Sequence, residues 1–326
     1  MKKIKMFTHT DLDGIGCGLV SELMLRNTYI SDIQYANYNE INAFILDFIN
    51  KEEYKGYDYI FITDISVNED VAKKINEINS EKNKFILIDH HETSKWLNKY
   101  SWAKVQSEVN LFADKFKKVS GTYLFALYLK DNFREEIERH NYYQIISFIL
   151  SVDSYDTWNW KEIDDNCFLS KELNDLFYIL GRKRFIDIIF MDISKGMEIK
   201  EIIEKFSLLL ELEEDKKRRY IKSKSESIIE KEFIVEDKIY KFGVVFAEQF
   251  VSELGNKLNE LNPQYDFIMI IGDGKVSLRT IYDEIKVNEI AELFGGGGHP
   301  KASGFEYNKS IKNRIIFDIL TEAGTN

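Results

Sequence analysis

The stretch Met6–Gly18, MFTHTDLDGIGCG, carries the strongest fold signal in this 326-residue chain. It continues a short apolar strand pattern, and it then places His9, Asp11 and Asp13 at every second residue before a run of glycines. Because alternate residues of an extended segment point to the same side, these three side chains can face one pocket. Gly14 allows the chain to turn sharply into the helical pattern that follows. The stretch therefore predicts a strand, a turn that carries metal-ligating side chains, and a helix.

Two other predicted strands end in residues of the same kinds. Asp64 ends an apolar stretch in YDYIFITDIS, and Asp89, His90 and His91 end the stretch KFILIDHH. Strand patterns here alternate with helical patterns, which indicates a parallel sheet with helical crossovers. The carboxyl ends of strands in such a sheet meet at one edge, where open α/β folds bind ligands, so we expect the three groups to converge. Clustered aspartates repel one another without cations, and carboxylate and imidazole ligands without cysteine favour Mn²⁺, Mg²⁺ or Fe²⁺ over structural zinc.

Four motifs resemble those of the DHH phosphoesterase family: THTDLDGIGCG, ITD, DHH and SYDTW, in that order along the chain. The later stretches VSLRT and FGGGGHPKASGF resemble the DHHA1 domain that follows in many members of the family. The combined set is similar to the bacterial nanoRNase branch, and the resemblance covers nearly the whole chain. It implies a phosphodiesterase of the exoribonuclease type, which hydrolyses short oligonucleotides to 5′-mononucleotides by two-metal water attack.

The resemblance implies two metal ions bound side by side, with Mn²⁺ as the expected ion and Mg²⁺ or Fe²⁺ as alternatives. Asp64 would bridge the two ions, and the remaining ligands would divide between them. The implied ligands are His9, Asp11 and Asp64 for one ion, and Asp13, Asp64, His90 and an aspartate of the fourth motif for the other.

The fourth motif leaves two candidates for the last ligand. Asp156 precedes a threonine, as the family pattern has it, whereas Asp153 lies one helical turn earlier and competes with it. For catalysis, the resemblance implies roles for Asp64, His91 and Asp89. His91 would face the substrate phosphate. Asp89 would orient the histidines through hydrogen bonds without itself binding a metal ion.

The glycine-rich stretch near the C-terminus is a candidate nucleotide site. Four successive glycines exceed what a helix C-cap requires, although a C-cap is the simpler interpretation, and they can form an anion nest. Arg279 leaves a predicted strand and can bind a phosphate bidentately, whereas an ordinary strand-surface role is its alternative. In the resembling domains, the matching arginine and histidine contact the nucleotide. The expected substrate-binding residues are Arg279, Gly296, Gly297, Gly298, His299 and Ser303.

The pattern as a whole predicts an α/β fold with two domains. Residues 1–190 form the predicted DHH domain, with a parallel sheet, flanking helices and a mostly helical part after Ser107. Residues 191–231 are predicted to form a charged helical connector. Residues 232–326 form the smaller α/β domain of DHHA1 type with a mixed sheet, which begins with a hairpin around Glu236, Asp237 and Lys238.

Composition restricts the partners. The net charge is −11, so the chain lacks the basic surface that grips long duplex DNA, and a nucleic-acid substrate is expected to be short. Cys17 and Cys167 are too few for a disulfide framework, which favours a reduced, cytoplasmic setting. No apolar run reaches the length of a membrane span. The expected partners are short single-stranded RNA or DNA oligonucleotides or dinucleotides and no membrane, and self-association as a homodimer stays open.

Other substrates use the same kind of site. A phosphatase acting on 3′-phosphoadenosine 5′-phosphate and a phosphodiesterase acting on cyclic or linear dinucleotides are the alternatives within this class. A catalytically silent nucleotide sensor is the alternative outside it, and the complete set of metal-ligating residues argues against a sensor.

Overall fold

The computed structural model describes residues 1–82, 84–112, 115–161, 169–235 and 238–308, and a few residues between 310 and 318. The contacts divide the chain into two compact units, Met1–Leu210 and Glu211–Asn326. Within the described ranges, no helix combines the length and the apolar character that crossing a membrane requires. Cys17 is a buried free thiol, and Cys167 lies outside the described residues.

The first unit contains the predicted parallel sheet. All five strands run parallel, in the order β2-β1-β3-β4-β5, so the order reverses between β1 and β3. The fold class predicted from the sequence is therefore confirmed. The strands are β1 (Lys2–Thr8), β2 (Tyr29–Tyr35), β3 (Tyr59–Thr63), β4 (Phe85–Asp89) and β5 (Ala103–Val105).

Helices cover both faces of this sheet. Asp11 caps the first one, because its side chain accepts a hydrogen bond of 3.0 Å from the Gly14 N–H. Asn68 caps the third in the same way, through a 3.0 Å hydrogen bond from the Val71 N–H. The helices of the first unit are α1 (Leu12–Leu25), α2 (Ile41–Asn50), α3 (Glu69–Lys82), α4 (Gly121–Asn132), α5 (Tyr142–Asp156), α6 (Ser170–Leu180), α7 (Arg182–Ser194) and α8 (Ile199–Glu204). Helix α9 (Ser207–Ser225) follows, and most of its residues belong to the second unit.

The central strands β1, β3 and β4 are buried on both faces, as is typical of parallel sheets. Neighbouring residues alternate between two hydrophobic clusters: Met6 joins the cluster formed with α1, α4 and α5, and Phe7 joins the cluster formed with α2 and α3. In β3, Phe61 faces the first cluster and Ile62 the second. This two-sided burial fixes the strand register and hence the position of the strand ends.

The part of the first unit after Ser107 is mostly helical, but it begins with two short strands. An antiparallel pair, β6 (Glu108–Phe112) and β7 (Lys115–Lys118), precedes α4 where a helical pattern was expected. These strands are only four and five residues long, too short for a period to stand out beside the long helical patterns that follow.

The second unit contains a six-stranded mixed sheet in the order β12-β13-β11-β10-β9-β8. Only β9 and β10 run parallel, and the other pairs are antiparallel. The turn residues Glu236 and Asp237 of the first predicted hairpin lie outside the described residues. The elements are β8 (Ile229–Val235), β9 (Lys238–Phe246), α10 (Val251–Leu261), β10 (Phe267–Ile271), β11 (Lys275–Arg279), α11 (Val287–Glu292), β12 (Gly297–His299) and β13 (Ala302–Glu306).

Candidate metal centre

The carboxyl ends of three neighbouring strands bring the predicted metal-ligating residues together. His9 follows β1, Asp64 follows β3, and Asp89 is the last residue of β4. Strands β1 and β3 flank the point where the strand order reverses, which is where open α/β sheets form a crevice for ligands. The convergence expected from the sequence is thus present in the fold.

The first group of ligand atoms belongs to His9, Asp11 and Asp64, whose candidate atoms all lie within 4.8 Å of one another. Nδ1 of His9 is 2.9 Å from Oδ2 of Asp11 and 3.9 Å from Oδ2 of Asp64. Both His9 Nδ1 and Asp64 Oδ2 are buried and make no hydrogen bond of acceptable geometry. Their lone pairs therefore face a shared space, as ligand atoms of one cation would.

The second group belongs to Asp13, His90 and Asp156, again within 4.8 Å of one another. Nε2 of His90 is 3.6 Å from Oδ2 of Asp13 and 3.2 Å from Oδ1 of Asp64. This nitrogen is also buried without a hydrogen bond. Asp64 therefore turns one carboxylate oxygen toward each group, which is the arrangement of a ligand shared by two cations.

Two features hold the central carboxylates in place. The backbone of Asp64 is left-handed, with φ of 54°, and such strain in a residue other than glycine is concentrated at functional sites. The carboxylate of Asp13 accepts hydrogen bonds from the first N–H groups of α4, at 2.6 Å from Gly121 and 2.8 Å from Thr122. A Cβ at Gly121 would lie 2.8 Å from the Cβ of Asp64 and 3.0 Å from Oδ2 of Asp13, so only glycine fits there.

Gly121 and Thr122 were not predicted from the sequence as site residues. Their contact with Asp13 spans more than 100 residues of chain, and only the packing of α4 against α1 creates it. The available signal was Ser120, a helix N-cap whose side chain accepts a hydrogen bond from the Tyr123 N–H, since a helix N-terminus favours an anion.

The structure separates the two candidates of the fourth motif. Asp153 is buried and uses both oxygens on the protein itself: Oδ1 accepts from the Ser120 N–H at 2.8 Å, and Oδ2 pairs with Lys117 Nζ at 2.5 Å. Asp156 instead lies 3.6 Å from Nδ1 of His90. Asp156 is therefore the residue that the fold brings into the cluster.

The cluster is electrostatically unfavourable without cations. Burial, with the charges of Asp13 and Asp11, raises the pKa of Asp64 well above its usual range. The same causes raise the pKa of Asp156 to about 9. Oxygen and imidazole ligands fit Mn²⁺, Mg²⁺ or Fe²⁺. Divalent cations therefore fit this set of residues, since they would neutralise the carboxylates and occupy the lone pairs that have no partner.

His91 and Asp89 form a pair beside the cluster. Oδ1 of Asp89, a fully buried side chain, lies 2.7 Å from Nδ1 of His91 and also accepts a hydrogen bond from the His90 N–H at 2.8 Å. Burial alone would lower the pKa of His91, but the hydrogen bond and the charge of Asp89 outweigh it and raise that pKa. The other ring nitrogen of His91 lies 3.2 Å from the hydroxyl of Tyr38. Asp89 thus fixes the orientation of His91, whose side chain is 36% exposed.

In the second unit, the predicted substrate residues lie on adjacent strands. Arg279 of β11 and His299 of β12 both pair in register with Ala302 of β13, so their side chains share one face of the sheet. Nη1 of Arg279 donates to the carbonyl oxygen of Leu278 at 2.9 Å. The hydroxyl of Ser303 is buried and donates to the carbonyl oxygen of Val287 at 2.7 Å, so it holds β13 against α11.

Two of the four successive glycines, Gly297 and Gly298, lie in strand β12. Gly297 and Gly298 pair with β13. A Cβ at Gly296 would lie 2.1 Å from the carbonyl oxygen of Gly304, so the close approach of two backbones accounts for glycine there. Strand pairing therefore explains part of the glycine run that the sequence suggested as an anion nest.

Similarity to known proteins identifies the family of this chain. Residues 3–149 match the DHH family, N-terminal domain. Oligoribonuclease NrnB from Bacillus subtilis is 38% identical over 317 residues, which cover 95% of this chain and 74% of that protein. The 3′,5′-cyclic-nucleotide phosphodiesterase from Helicobacter pylori is 24% identical across the full length of both chains. Among solved structures, exonuclease RecJ bound to manganese has a TM-score of 0.56 at 12% identity, covering 95% of this chain and 87% of that one. The family match and the similarity to NrnB show that this chain belongs to the DHH family of phosphoesterases and is a phosphoester hydrolase.

Proposed function

We propose that this enzyme hydrolyses short single-stranded oligonucleotides and releases 5′-mononucleotides with the help of two divalent cations, Mn²⁺ in the first place. The observation that carries the proposal is Asp64, whose two carboxylate oxygens face two separate groups of ligands. The substrate class rests on the similarity to a protein named as an oligoribonuclease, which extends over nearly the whole chain.

The residues of the two groups would hold the cations. When bound at such a site, divalent cations activate water and neutralise the charge on the phosphoryl oxygens. The protein itself supplies the arrangement of the ligands: the left-handed backbone of Asp64 and the helix N-terminus at Asp13 fix the two central carboxylates before any substrate arrives.

His91 is the side chain that we assign to the phosphoryl group. Its ring is partly exposed, and the pair with Asp89 keeps it oriented and favours its protonated form. A protonated His91 can donate a hydrogen bond to a phosphoryl oxygen and a proton to the departing oxygen. Without substrate, the second His91 nitrogen faces the hydroxyl of Tyr38, which stays neutral because burial raises its pKa well above the usual value. In this role a phosphoryl oxygen replaces that hydroxyl as the partner of the nitrogen.

We assign the second part of the chain, residues 232–326, to substrate binding, with residues 191–231 as the connector. Arg279 and His299 stand on one face of the sheet, on either side of β13. Adjacent strands are about 4.8 Å apart, so the two side chains start about 10 Å from each other, a span that one nucleotide can bridge. In this role Arg279 contacts a phosphate and His299 donates to the same nucleotide.

Hydrolysis assays with a panel of substrates test the proposal. The panel contains labelled single-stranded RNAs and DNAs of about two to ten nucleotides, 3′-phosphoadenosine 5′-phosphate, cyclic dinucleotides and a 3′,5′-cyclic mononucleotide, each with Mn²⁺ and with EDTA. We expect 5′-mononucleotides from the shortest oligonucleotides and no turnover with EDTA. The relative from Helicobacter pylori makes cyclic nucleotides the second candidate class. Turnover of cyclic nucleotides or 3′-phosphoadenosine 5′-phosphate without turnover of oligonucleotides would refute the proposed substrate.

A further inference from the structure

A cavity of about 530 Å³ opens beside the first ligand group in the first unit. Its volume lies within the range of about 300–1,000 Å³ that small-molecule sites occupy. One part of the lining belongs to the segments after β1 and β2, and the other belongs to α6, the start of α7 and the junction between them. The lining residues are His9, Thr10, Asp11, Asn37, Phe177, Tyr178, Gly181 and Arg182.

Arg182 supplies a cation to this cavity. Its guanidinium lies 5.0 Å from the centre of the Tyr35 ring, which holds the group over an aromatic face. In the described part of the chain it forms no ion pair with a carboxylate. A guanidinium that has no carboxylate partner can bind a phosphate bidentately. Arg182 is such a cation beside the candidate metal centre, in a chain whose net charge is −11.

The same wall supplies an aromatic surface. The side chain of Tyr178 is 68% exposed, and its ring centre lies 5.0 Å from that of Phe177, which is 6% exposed. The buried ring therefore supports the exposed one from the edge. An exposed, supported tyrosine can stack on a nucleobase of any identity, and such stacking serves single-stranded nucleic acids.

The opposite wall is polar and held in place. The Thr10 hydroxyl donates to Oδ1 of Asn37 at 2.8 Å, and Nδ2 of Asn37 donates to Oε2 of Glu40 at 3.0 Å. The amide in the cavity lining is therefore held in place by two partners, Thr10 and Glu40. A cation, an aromatic ring and a fixed amide around one cavity match the phosphate, the base and the sugar of a nucleotide.

We propose that this cavity binds the nucleotide next to the scissile phosphate, with Arg182 on its phosphate and Tyr178 on its base. The inference rests on the proposed function and deepens it, because it assigns to the first unit a contact with the part of an oligonucleotide beyond the cleaved bond. It predicts that substrates with a second nucleotide bind more tightly than those without one, and that the preference depends on these two side chains.

Steady-state kinetics of Arg182→Ala test the proposal, with Arg184→Ala as the matched control. Arg184 is also exposed on α7 but does not line the cavity. The substrates are a single-stranded tetranucleotide and bis(p-nitrophenyl) phosphate, a diester without a nucleotide. We expect Arg182→Ala to raise KM for the tetranucleotide about tenfold at a similar kcat, since it removes charge-assisted hydrogen bonds. Arg184→Ala should leave the hydrolysis of both substrates unchanged, and Arg182→Ala should affect bis(p-nitrophenyl) phosphate much less than the tetranucleotide.

The salt dependence separates phosphate binding from a structural effect. Loss of one phosphate contact on a single strand should reduce the slope of log(kcat/KM) against log salt by about 0.7. For the stacking contact, Tyr178→Ala should raise KM for the tetranucleotide, and Tyr178→Phe should restore it.

Suppose that the unmodified enzyme cleaves the tetranucleotide, and that Arg182→Ala and Arg184→Ala have the same KM for it. This result would overturn the inference about the cavity and leave the proposed function intact. If the unmodified enzyme cleaved bis(p-nitrophenyl) phosphate but no oligonucleotide of any length, the proposed substrate would be wrong, and the inference with it.

Discussion

Replacing Asp156 with asparagine should stabilise the metal-free protein at neutral pH. The pKa of Asp156 is raised to about 9 in the fold by burial and by the charges of Asp13 and Asp11. In the unfolded chain an aspartate has a pKa of about 3.9. Between these two values the folded protein holds one more proton at this site than the unfolded chain. The free energy of unfolding therefore falls by about 1.4 kcal/mol for each pH unit of increase.

The sign and the magnitude follow from this difference. A raised carboxyl pKa favours the folded state below pH 4, and that contribution is lost as the pH rises toward 9. From pH 4 to pH 7 the loss would reach about 4 kcal/mol for a fully buried group. The side chain of Asp156 is 27% exposed, so water screens part of the interaction, and we expect about 2 kcal/mol. Asparagine carries no charge in either state and avoids this loss.

Urea denaturation of EDTA-treated protein at pH 4 and pH 7 measures the effect. Asp156→Asn should match the unmodified protein at pH 4 and exceed its free energy of unfolding by about 2 kcal/mol at pH 7. Asp47→Asn is the control, because Asp47 is an exposed aspartate, and it should show no such pH dependence. With Mn²⁺ the order should reverse, since the unmodified cluster binds the ion better. A metal-free Asp156→Asn protein that is less stable than the unmodified protein at pH 7 would refute the electrostatic reasoning.

Three further predictions concern the site and the second unit. Asp64→Asn should lower kcat at least about a thousandfold and remove the increase in Tm that Mn²⁺ causes, because one shared ligand is lost; substantial Mn²⁺-dependent turnover in a steady-state assay would contradict this. Gly121→Ala should cost about 1–3 kcal/mol in urea denaturation and weaken Mn²⁺ binding, because its Cβ would collide with Asp64. Gly56→Ala is the control, with open space around the added Cβ, and equal effects of the two substitutions would speak against a packed site. Arg279→Ala should raise KM for a dinucleotide at nearly constant kcat, and a fall in kcat at constant KM would assign Arg279 to catalysis instead of binding.

The strand ends could be predicted from the sequence because they depend on local patterns. The apolar runs before His9, Asp64 and Asp89 mark buried parallel strands. The extended spacing expected for His9, Asp11 and Asp13 was wrong, because Asp11 caps α1 and Asp13 lies in its first turn. The convergence of these residues then follows from the geometry of a parallel sheet. Local signals were sufficient wherever sheet topology alone brings residues together.

The contacts that hold the aspartates of the site in place could not be predicted, because they join segments that are distant in the sequence. Asp153 and Asp156 lie one helical turn apart, and contacts from distant segments separate them: Ser120 and Lys117 contact Asp153, whereas His90 lies beside Asp156. The hydrogen bond from the Gly121 N–H to the Asp13 carboxylate likewise depends on how α4 packs against α1. The sequence shows that a residue can ligate a metal, but it does not show which of its oxygens another part of the protein already occupies.

Titration of the metal-free protein with Mn²⁺ by isothermal calorimetry tests the central claim most directly. We predict two ions bound per chain of the unmodified protein and loss of both strong sites in Asp64→Asn, because Asp64 faces both ligand groups. Asp153→Asn should still bind two ions, since its oxygens are engaged by Ser120 and Lys117. Binding of a single ion to the unmodified protein, or two strong sites that survive in Asp64→Asn, would contradict a two-cation site built around Asp64.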